Sequence, residues 1–204
     1  MANAGDELVN PATGLRTVFR ETARTTSGEL LQVDWIGEPR WTTGPDHHHP
    51  FQVERFEVLS GTLGLRAAGL ERRHGPGDVV VVPAGVPHAA WNPGEDDVHV
   101  LVDFRPALRT EVAFETLAGL ARDGKTTAAG VPRNPLRLAL VLRAFEKEIR
   151  FVRPPLAVQK AVLGPLAALG RLLGYHAEYP YRQDGPNPRS SRTREVAARE
   201  TGRS

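Results

Sequence analysis

Short apolar runs separated by glycine and proline dominate residues 28–106, and this pattern predicts an all-β domain. In the segment ELLQVDWI, Leu31, Val33 and Trp35 alternate with polar positions, so they share one face of a strand. A second alternating run, VHVLVDFRP, places four apolar side chains on one face: Val98, Val100, Val102 and Phe104. The segment GDVVVVP is instead an unbroken β-branched run ending at Pro83, which predicts a strand buried on both faces. Short, closely spaced strands of this kind favour a sandwich or a barrel.

The period of the apolar positions changes after the β region, and residues 107–182 are expected to form a helical appendage. Asn134 followed by Pro135 predicts an N-cap and a first helical residue. A second helix is expected after Pro154 and Pro155, with a kink near Pro165. Its expected apolar face consists of Val158, Val162, Leu166, Leu169 and Leu173.

The two ends of the chain lack such patterns. Residues 1–27 are mixed and polar and are expected to form an irregular N-terminal arm, whereas residues 183–204 are expected to form a disordered, Arg-rich tail. The N-terminus has neither the charged region nor the apolar core of a signal peptide, so a cytoplasmic location is expected. Polar residues and Pro165 interrupt the apolar stretch near residues 155–175, which argues against a membrane span.

The amino-acid composition limits the functions and the metal ligands that are possible. The formal net charge is only +2, which gives no reason to expect nucleic-acid binding. Cysteine is absent, so disulfides, thiolate metal sites and cysteine nucleophiles are excluded. Any bound metal must therefore be held by nitrogen and oxygen ligands.

Two segments contain the candidate ligands. His47 and His49 are two residues apart, so an extended chain places both imidazoles on one side. Glu54 follows shortly afterwards, and His88 would come from a distant strand. Three imidazoles and one carboxylate suit a single divalent ion of Fe, Mn, Ni, Co, Cu or Zn and can leave coordination positions open.

These two segments resemble the two signature motifs of the cupin superfamily. The first motif is met by His47, His49, Glu54 and Gly61, although Gly44 lies nearer to His47 than the pattern expects. The second motif is met without exception by Gly77, Pro83, Gly85, His88 and Asn92. The resemblance covers roughly residues 28–106. Within the superfamily, the chain resembles small bacterial proteins with a single cupin domain.

The resemblance implies a mainly β fold, a double-stranded β-helix or jelly-roll barrel, here with C-terminal helices. It also implies that the ligands point into the barrel and that the ion lies near one mouth. A homodimer is expected on the same ground, without a role assigned to the helices.

A cupin fold does not fix a function. The complete ligand set favours a metal-dependent enzyme acting on a small organic molecule, phenolic or polyketide-like, with dioxygenase chemistry as the leading hypothesis. Glu54 is the candidate catalytic residue, either as a ligand or as a general base toward a substrate hydroxyl. The alternatives are a non-redox isomerase or cyclase, and a non-catalytic sensor or binding module for a small ligand.

Other residues are weaker candidates. His48 is expected to point away from its two neighbours, and His99 is considered as a pocket residue because it lies on a strand. Four aromatic residues are candidates either for a substrate cavity or for ordinary core: Trp35, Trp41, Trp91 and Phe104.

Overall fold

The computed structural model describes residues 2–181, which form two antiparallel β-sheets and three helices. The strands of the first sheet are β1 (Glu7–Asn10), β2 (Leu15–Glu21), β3 (Leu31–Gly37), β5 (Val53–Ser60), β8 (Val79–Val82) and β10 (Val98–Arg105). Those of the second are β4 (His47–His48), β6 (Leu63–Ala67), β7 (Leu70–His74), β9 (His88–Trp91) and β11 (Arg150–Phe151). The helices are α1 (Thr110–Arg122), α2 (Pro135–Ala144) and α3 (Leu156–Leu172).

The order of strands confirms the fold class. The first sheet runs β1-β2-β3-β10-β5-β8 and the second runs β11-β4-β9-β6-β7, so neighbours in each sheet are mostly distant in sequence. Consecutive strands therefore pass from one sheet to the other, as in a double-stranded β-helix. One apolar cluster joins the two sheets, for example Val33 and Phe56 of the first with Leu65 and Ala90 of the second.

Strand alternation sets which side chains enter this core. Leu31, Val33 and Trp35 of β3 are buried, as are Val98, Val100, Val102 and Phe104 of β10. The two strands pair directly, with Val33 opposite Val102 and Trp35 opposite Val100. The alternating patterns in the sequence therefore identified the inward face of both strands correctly.

The valine run of β8 is not buried on both faces, contrary to the expectation. Val79 and Val81 are about half exposed, whereas Val82 is buried. The reason is that only one face of this sheet packs on the core, so alternate residues of β8, which lies at the sheet's edge, point outward like those of its partner β5. An unbroken apolar run is thus compatible with an edge strand as well as with a central one.

Residues 1–27 also differ from the expected irregular arm. They contain β1 and β2, and β2 pairs with β3 from Leu15 to Glu21. Thr17 and Phe19 of β2 are buried at the alternate positions that face the core. The N-terminal segment therefore extends the first sheet instead of trailing from it.

The cap expected at the start of α2 is present. Asn134 adopts an extended backbone, and its side-chain oxygen accepts hydrogen bonds from the backbone N–H groups of Leu136 and Arg137. Pro135 occupies the first turn, where its missing N–H costs nothing.

Helix α3 packs on α2 through a different face from the one expected. Ala167 and Gly170 are buried against α2, and a side chain on Gly170 would meet Leu140 Cδ1 at 3.0 Å. Of the expected face, Leu166 does pack against this cluster, whereas Val158, Val162 and Leu169 are about half exposed and Leu173 is exposed. The close approach of the helices selects small residues for the contact, which an analysis of large apolar residues overlooks. Helix α3 is continuous through Pro165.

The expected Arg-rich tail, residues 183–204, lies outside the described residues. Within residues 2–181, none of the helices combines the length and the hydropathy needed to cross a bilayer.

Candidate metal centre and cavity

The four predicted ligands come together inside the barrel. His47 belongs to β4 and lies opposite His88 of β9, while His49 follows β4 directly. Glu54 belongs to β5 in the other sheet, so the cluster spans the two sheets. All four side chains are buried, with exposed fractions between 2% and 7%.

The distances are those of a compact cluster. Glu54 Oε2 lies 2.7 Å from His88 Nε2 and 3.2 Å from His49 Nε2. Ring nitrogens of His47, His49 and His88 all lie within 4.8 Å of one another. Three histidines in this arrangement are able to hold a metal ion, with Glu54 adjacent to two of them.

Backbone carbonyls fix the tautomer of every histidine in the cluster. The Nδ1 atom of His47 lies 3.1 Å from the carbonyl of Pro45, and that of His88 lies 2.9 Å from the carbonyl of Val86. The Nδ1 atom of His49 contacts the carbonyl of Glu148. A carbonyl can only accept, so each Nδ1 carries a proton. In the neutral imidazole this leaves the lone pair on Nε2, which is the arrangement that metal-binding histidines require.

The inward-facing atoms lack ordinary partners. The Nε2 atoms of His49 and His88 and the Oε2 atom of Glu54 are buried, yet none of them makes a hydrogen bond of acceptable geometry. Unprotonated nitrogens this close to a carboxylate oxygen would repel it, so a positive charge is needed between them. A divalent cation provides that charge, and the donor set fits it.

Electrostatics inside the cluster favour the ligand-competent forms of two residues. Burial, followed by the neighbouring imidazoles of His88 and His49, lowers the pKa of His47 to about 3, so this side chain is neutral. Burial by itself would raise the pKa of Glu54, but His49 and His88 outweigh it and hold that pKa below its usual range. Burial lowers the pKa of His88, yet Glu54 more than offsets this and raises it.

Glu148, a residue outside the barrel that no sequence pattern indicates, completes the support of His49. Glu148 lies between α2 and β11, is buried, and presents its carbonyl to His49 Nδ1. Its side-chain Oε1 accepts a hydrogen bond from the backbone N–H of Arg109, at the start of α1. Strand β11 pairs with β4, placing Phe151 opposite His47. The helical segment is therefore attached directly to the strand that contributes the ligands.

A cavity of about 180 Å³ adjoins the cluster. His47, His49 and Glu54 form part of its wall, together with three of the four aromatic residues considered from sequence: Trp35, Trp41 and Phe104. The fourth, Trp91, packs against Gly64 and lies under the guanidinium of Arg66. Helices α1 and α2 close the cavity with further apolar side chains: Ala113, Phe114, Leu117, Leu138, Val141 and Leu142. The helices thus form part of the cavity wall at one side of the barrel.

The remaining histidines lie elsewhere. His99 does not line the cavity, contrary to the hypothesis from sequence, because its Nε2 contacts Asp34 Oδ1 at 2.8 Å, and Arg20 binds the same carboxylate. Asp34 and His99 alternate with the inward-facing residues of β3 and β10, so both belong to the opposite face. His48 pairs with Arg150 and takes no part in the histidine cluster.

Part of this chain is similar to known proteins. Residues 34–104 match the family model described as the cupin domain. Two curated proteins named "Probable oxidoreductase patJ", from Aspergillus clavatus and Penicillium expansum, are each 37% identical over 87 residues. The match covers 40% of this chain and 27% of each relative, so the chain spans about a quarter of the length of those relatives.

Solved structures that are similar to part of this chain include KdgF from Halomonas sp. and an RmlC-like cupin from Shewanella frigidimarina. The first is 23% identical, with a TM-score of 0.44, and the match covers 52% of this chain and 90% of that protein. The second is 21% identical, with a TM-score of 0.46, and the match covers 55% of this chain and 94% of that protein. The family model therefore matches about a third of the chain, the segment that contains His47, His49, Glu54 and His88.

Proposed function

We propose that this protein is a metal-dependent cupin oxidoreductase of the dioxygenase type, acting on a small phenolic or polyketide-like molecule. The observation that carries the proposal is the shared geometry of His47, His49 and His88. Each has its Nδ1 bound to a backbone carbonyl, and the resulting free Nε2 atoms gather beside Glu54. This arrangement is suited to holding one divalent ion throughout a reaction.

The four ligands have distinct tasks in this proposal. His47, His49 and His88 hold the ion, and Glu54 completes its coordination. When bound, the ion supplies Lewis-acid polarisation of a substrate oxygen and, for a redox-active metal, reactivity toward O2. Glu54 is the only carboxylate among the described residues of the cavity wall, so it is the group assigned to accept a proton from a substrate hydroxyl.

Two further observations support oxidoreductase chemistry on an apolar substrate. The two curated relatives, which match 87 residues of this chain, carry the name of a probable oxidoreductase. The cavity wall is mainly aromatic and aliphatic, which suits a phenolic ring. Apart from the ligand cluster, the described part of the wall contains no second acid–base pair of the kind that an isomerase would use.

Oxygen consumption by the iron-loaded protein tests the proposal. Uptake should depend on a substrate from a panel of mono- and dihydroxybenzenes, and both atoms of O2 should enter the product, as labelling with ¹⁸O2 would show. His49→Ala should lose both the metal and the uptake. Retained metal without uptake on any panel member would instead favour an isomerase, a cyclase or a small-ligand sensor.

Several expectations from sequence stay predictions. These are the homodimer, the cytoplasmic location, a bacterial single-domain protein, and the division into a barrel at 28–106 and a helical appendage at 107–182.

A further inference from the structure

The wall of the cavity contains very few charged side chains. Among the described residues that line it, Glu54 is the only acidic side chain, and no lysine or arginine is present. The surfaces that face a ligand come mainly from aromatic residues of the barrel and leucines of the helices, such as Trp35, Phe104, Leu138 and Leu142. A charged group placed among them would lose its hydration without gaining a counter-ion.

Several neutral polar groups on the wall bond to the protein itself, whereas Thr13 Oγ1 and Trp35 Nε1 are buried without a partner. Asn10 Oδ1 accepts from the backbone N–H of Ala12, and Thr42 Oγ1 accepts from the backbone N–H of Gly44. Thr43 Oγ1 bonds to the backbone of Ala90. These groups can tolerate an uncharged polar substituent nearby, but none of them can neutralise a charge.

Charge balance at the metal sets a second limit. A divalent ion bound by three neutral histidines and one carboxylate carries a net charge of about +1. This charge neutralises one anionic oxygen of a ligand that binds to the ion. A second anionic group, held away from the ion by the substrate itself, would lie against the apolar wall without a counter-ion and would be disfavoured.

The volume of the cavity limits the size of the part of the ligand that does not bind the metal. This volume is about 180 Å³. For comparison, an engineered apolar cavity of roughly 150 Å³ in another protein binds benzene. The space beside the metal therefore accommodates about one six-membered ring.

We propose that the site selects ligands with a single oxygen head for the metal, either a hydroxyl, a carbonyl or one carboxylate, on an uncharged, mainly apolar body of about one ring. It rejects molecules with two separated anionic groups, such as dicarboxylates and sugar phosphates. This inference rests on the proposed metal site and adds the selection of substrate by charge.

A matched pair of probes tests it on the full chain loaded with Zn²⁺, which avoids turnover. 4-Nitrobenzoate and terephthalate have nearly the same shape, but terephthalate has a second carboxylate where the other has a neutral nitro group. Calorimetric titration should show 4-nitrobenzoate binding at least about 100-fold more tightly, because the second carboxylate has no counter-ion. Affinities within about threefold of each other, or no binding of 4-nitrobenzoate, would overturn the inference.

A charge introduced into the wall provides the complementary test. Leu142 is half-buried on α2 and lines the cavity, so a lysine there adds an ammonium group to the cavity wall. Leu142→Lys should improve terephthalate binding by about tenfold or more, while Leu142→Met, of similar volume, should not. Equal terephthalate affinity in the two variants, with both folded by circular dichroism, would contradict the proposal.

Metal analysis of the same samples distinguishes failure of the proposed metal site from failure of the proposed selection by charge. Absence of bound Zn²⁺ would remove the proposed metal function itself. Bound Zn²⁺ together with equal binding of both probes would remove only the selection by charge.

Discussion

The Nδ1 atom of His49 donates a hydrogen bond to the backbone carbonyl of Glu148, which lies 99 residues further along the chain. The donor belongs to the barrel and the acceptor belongs to the helical segment. Glu148 is held in turn by its side chain, which accepts from the backbone N–H of Arg109 at 3.1 Å. The orientation of a metal ligand thus depends on a segment outside the cupin motifs.

Glu148→Ala should therefore weaken metal binding without removing any ligand. Loss of the contact to Arg109 frees the turn that presents the carbonyl to His49, and mutations of such supporting groups commonly cost about 10-fold or more in metal affinity. Glu148→Gln should remain close to the parent, because its amide oxygen can still accept from Arg109. Competition of the protein with a chelator for Zn²⁺ would measure the effect.

Glu146→Ala is the matched control for this series. Glu146 is half-buried, and the contact it provides to Arg150 comes from its backbone carbonyl, which the substitution retains. Equal Zn²⁺ affinity in Glu148→Ala and Glu146→Ala would show that the side chain of Glu148 does not support the site.

Gly64→Ala should destabilise the second sheet. A Cβ atom at this position would lie 2.3 Å from Cε2 of Trp91, so the indole or the strand must move. Overpacking of this kind typically costs about 1–3 kcal/mol in the free energy of unfolding. At Gly75 an added Cβ meets no atom within 4 Å, so Gly75→Ala should change stability by less than about 0.5 kcal/mol. Urea denaturation of both variants checks the difference, and similar midpoints would refute the argument.

Asp34 should make stability depend on pH in the acidic range. Burial alone would raise its pKa, but hydrogen bonds from Arg20 and His99 outweigh burial and lower it. A carboxyl group with a lowered pKa in the folded state stabilises the protein fully above its unfolded pKa of about 4. That contribution is lost as the pH falls through the lowered value.

The comparison of the parent with Asp34→Asn isolates this effect. At pH 7 the variant should be less stable by about 1 kcal/mol, a modest figure because Arg20 is half exposed. The gap should close as the pH falls below about 4. Denaturant titrations at several pH values would measure it, and a gap that stays constant down to pH 2 would contradict the assignment.

The sequence correctly predicted those parts of the fold that depend only on neighbouring residues in the chain. Alternation along β3 and β10 depends only on neighbouring positions, and the side chain of Asn134 caps a helix that starts at the next residue. The exposure of Val79 and Val81 in β8 could not be predicted in this way, because it depends on whether other elements cover the outer face of the sheet. The contact face of α3 depends on the close approach of α2 at Gly170, which a search for large apolar residues does not detect.

The same distinction applies to the site. His47, His49, Glu54 and His88 were named from sequence because their spacing follows a strand pattern and the family's motifs. Glu148 was missed because its contribution to the cluster comes from a backbone carbonyl, which any residue type possesses. The cavity wall formed by α1 and α2 was missed because it is a property of tertiary packing.

The central claim is that one divalent ion is held by His47, His49, Glu54 and His88, and metal analysis of tag-free protein tests it most directly. The parent and His48→Ala should each retain about one equivalent of metal after gel filtration, because His48 lies on the same strand but outside the cluster. The double variant His47→Ala/His88→Ala should retain almost none. Equal metal content in the double variant and the parent, both folded, would contradict the account.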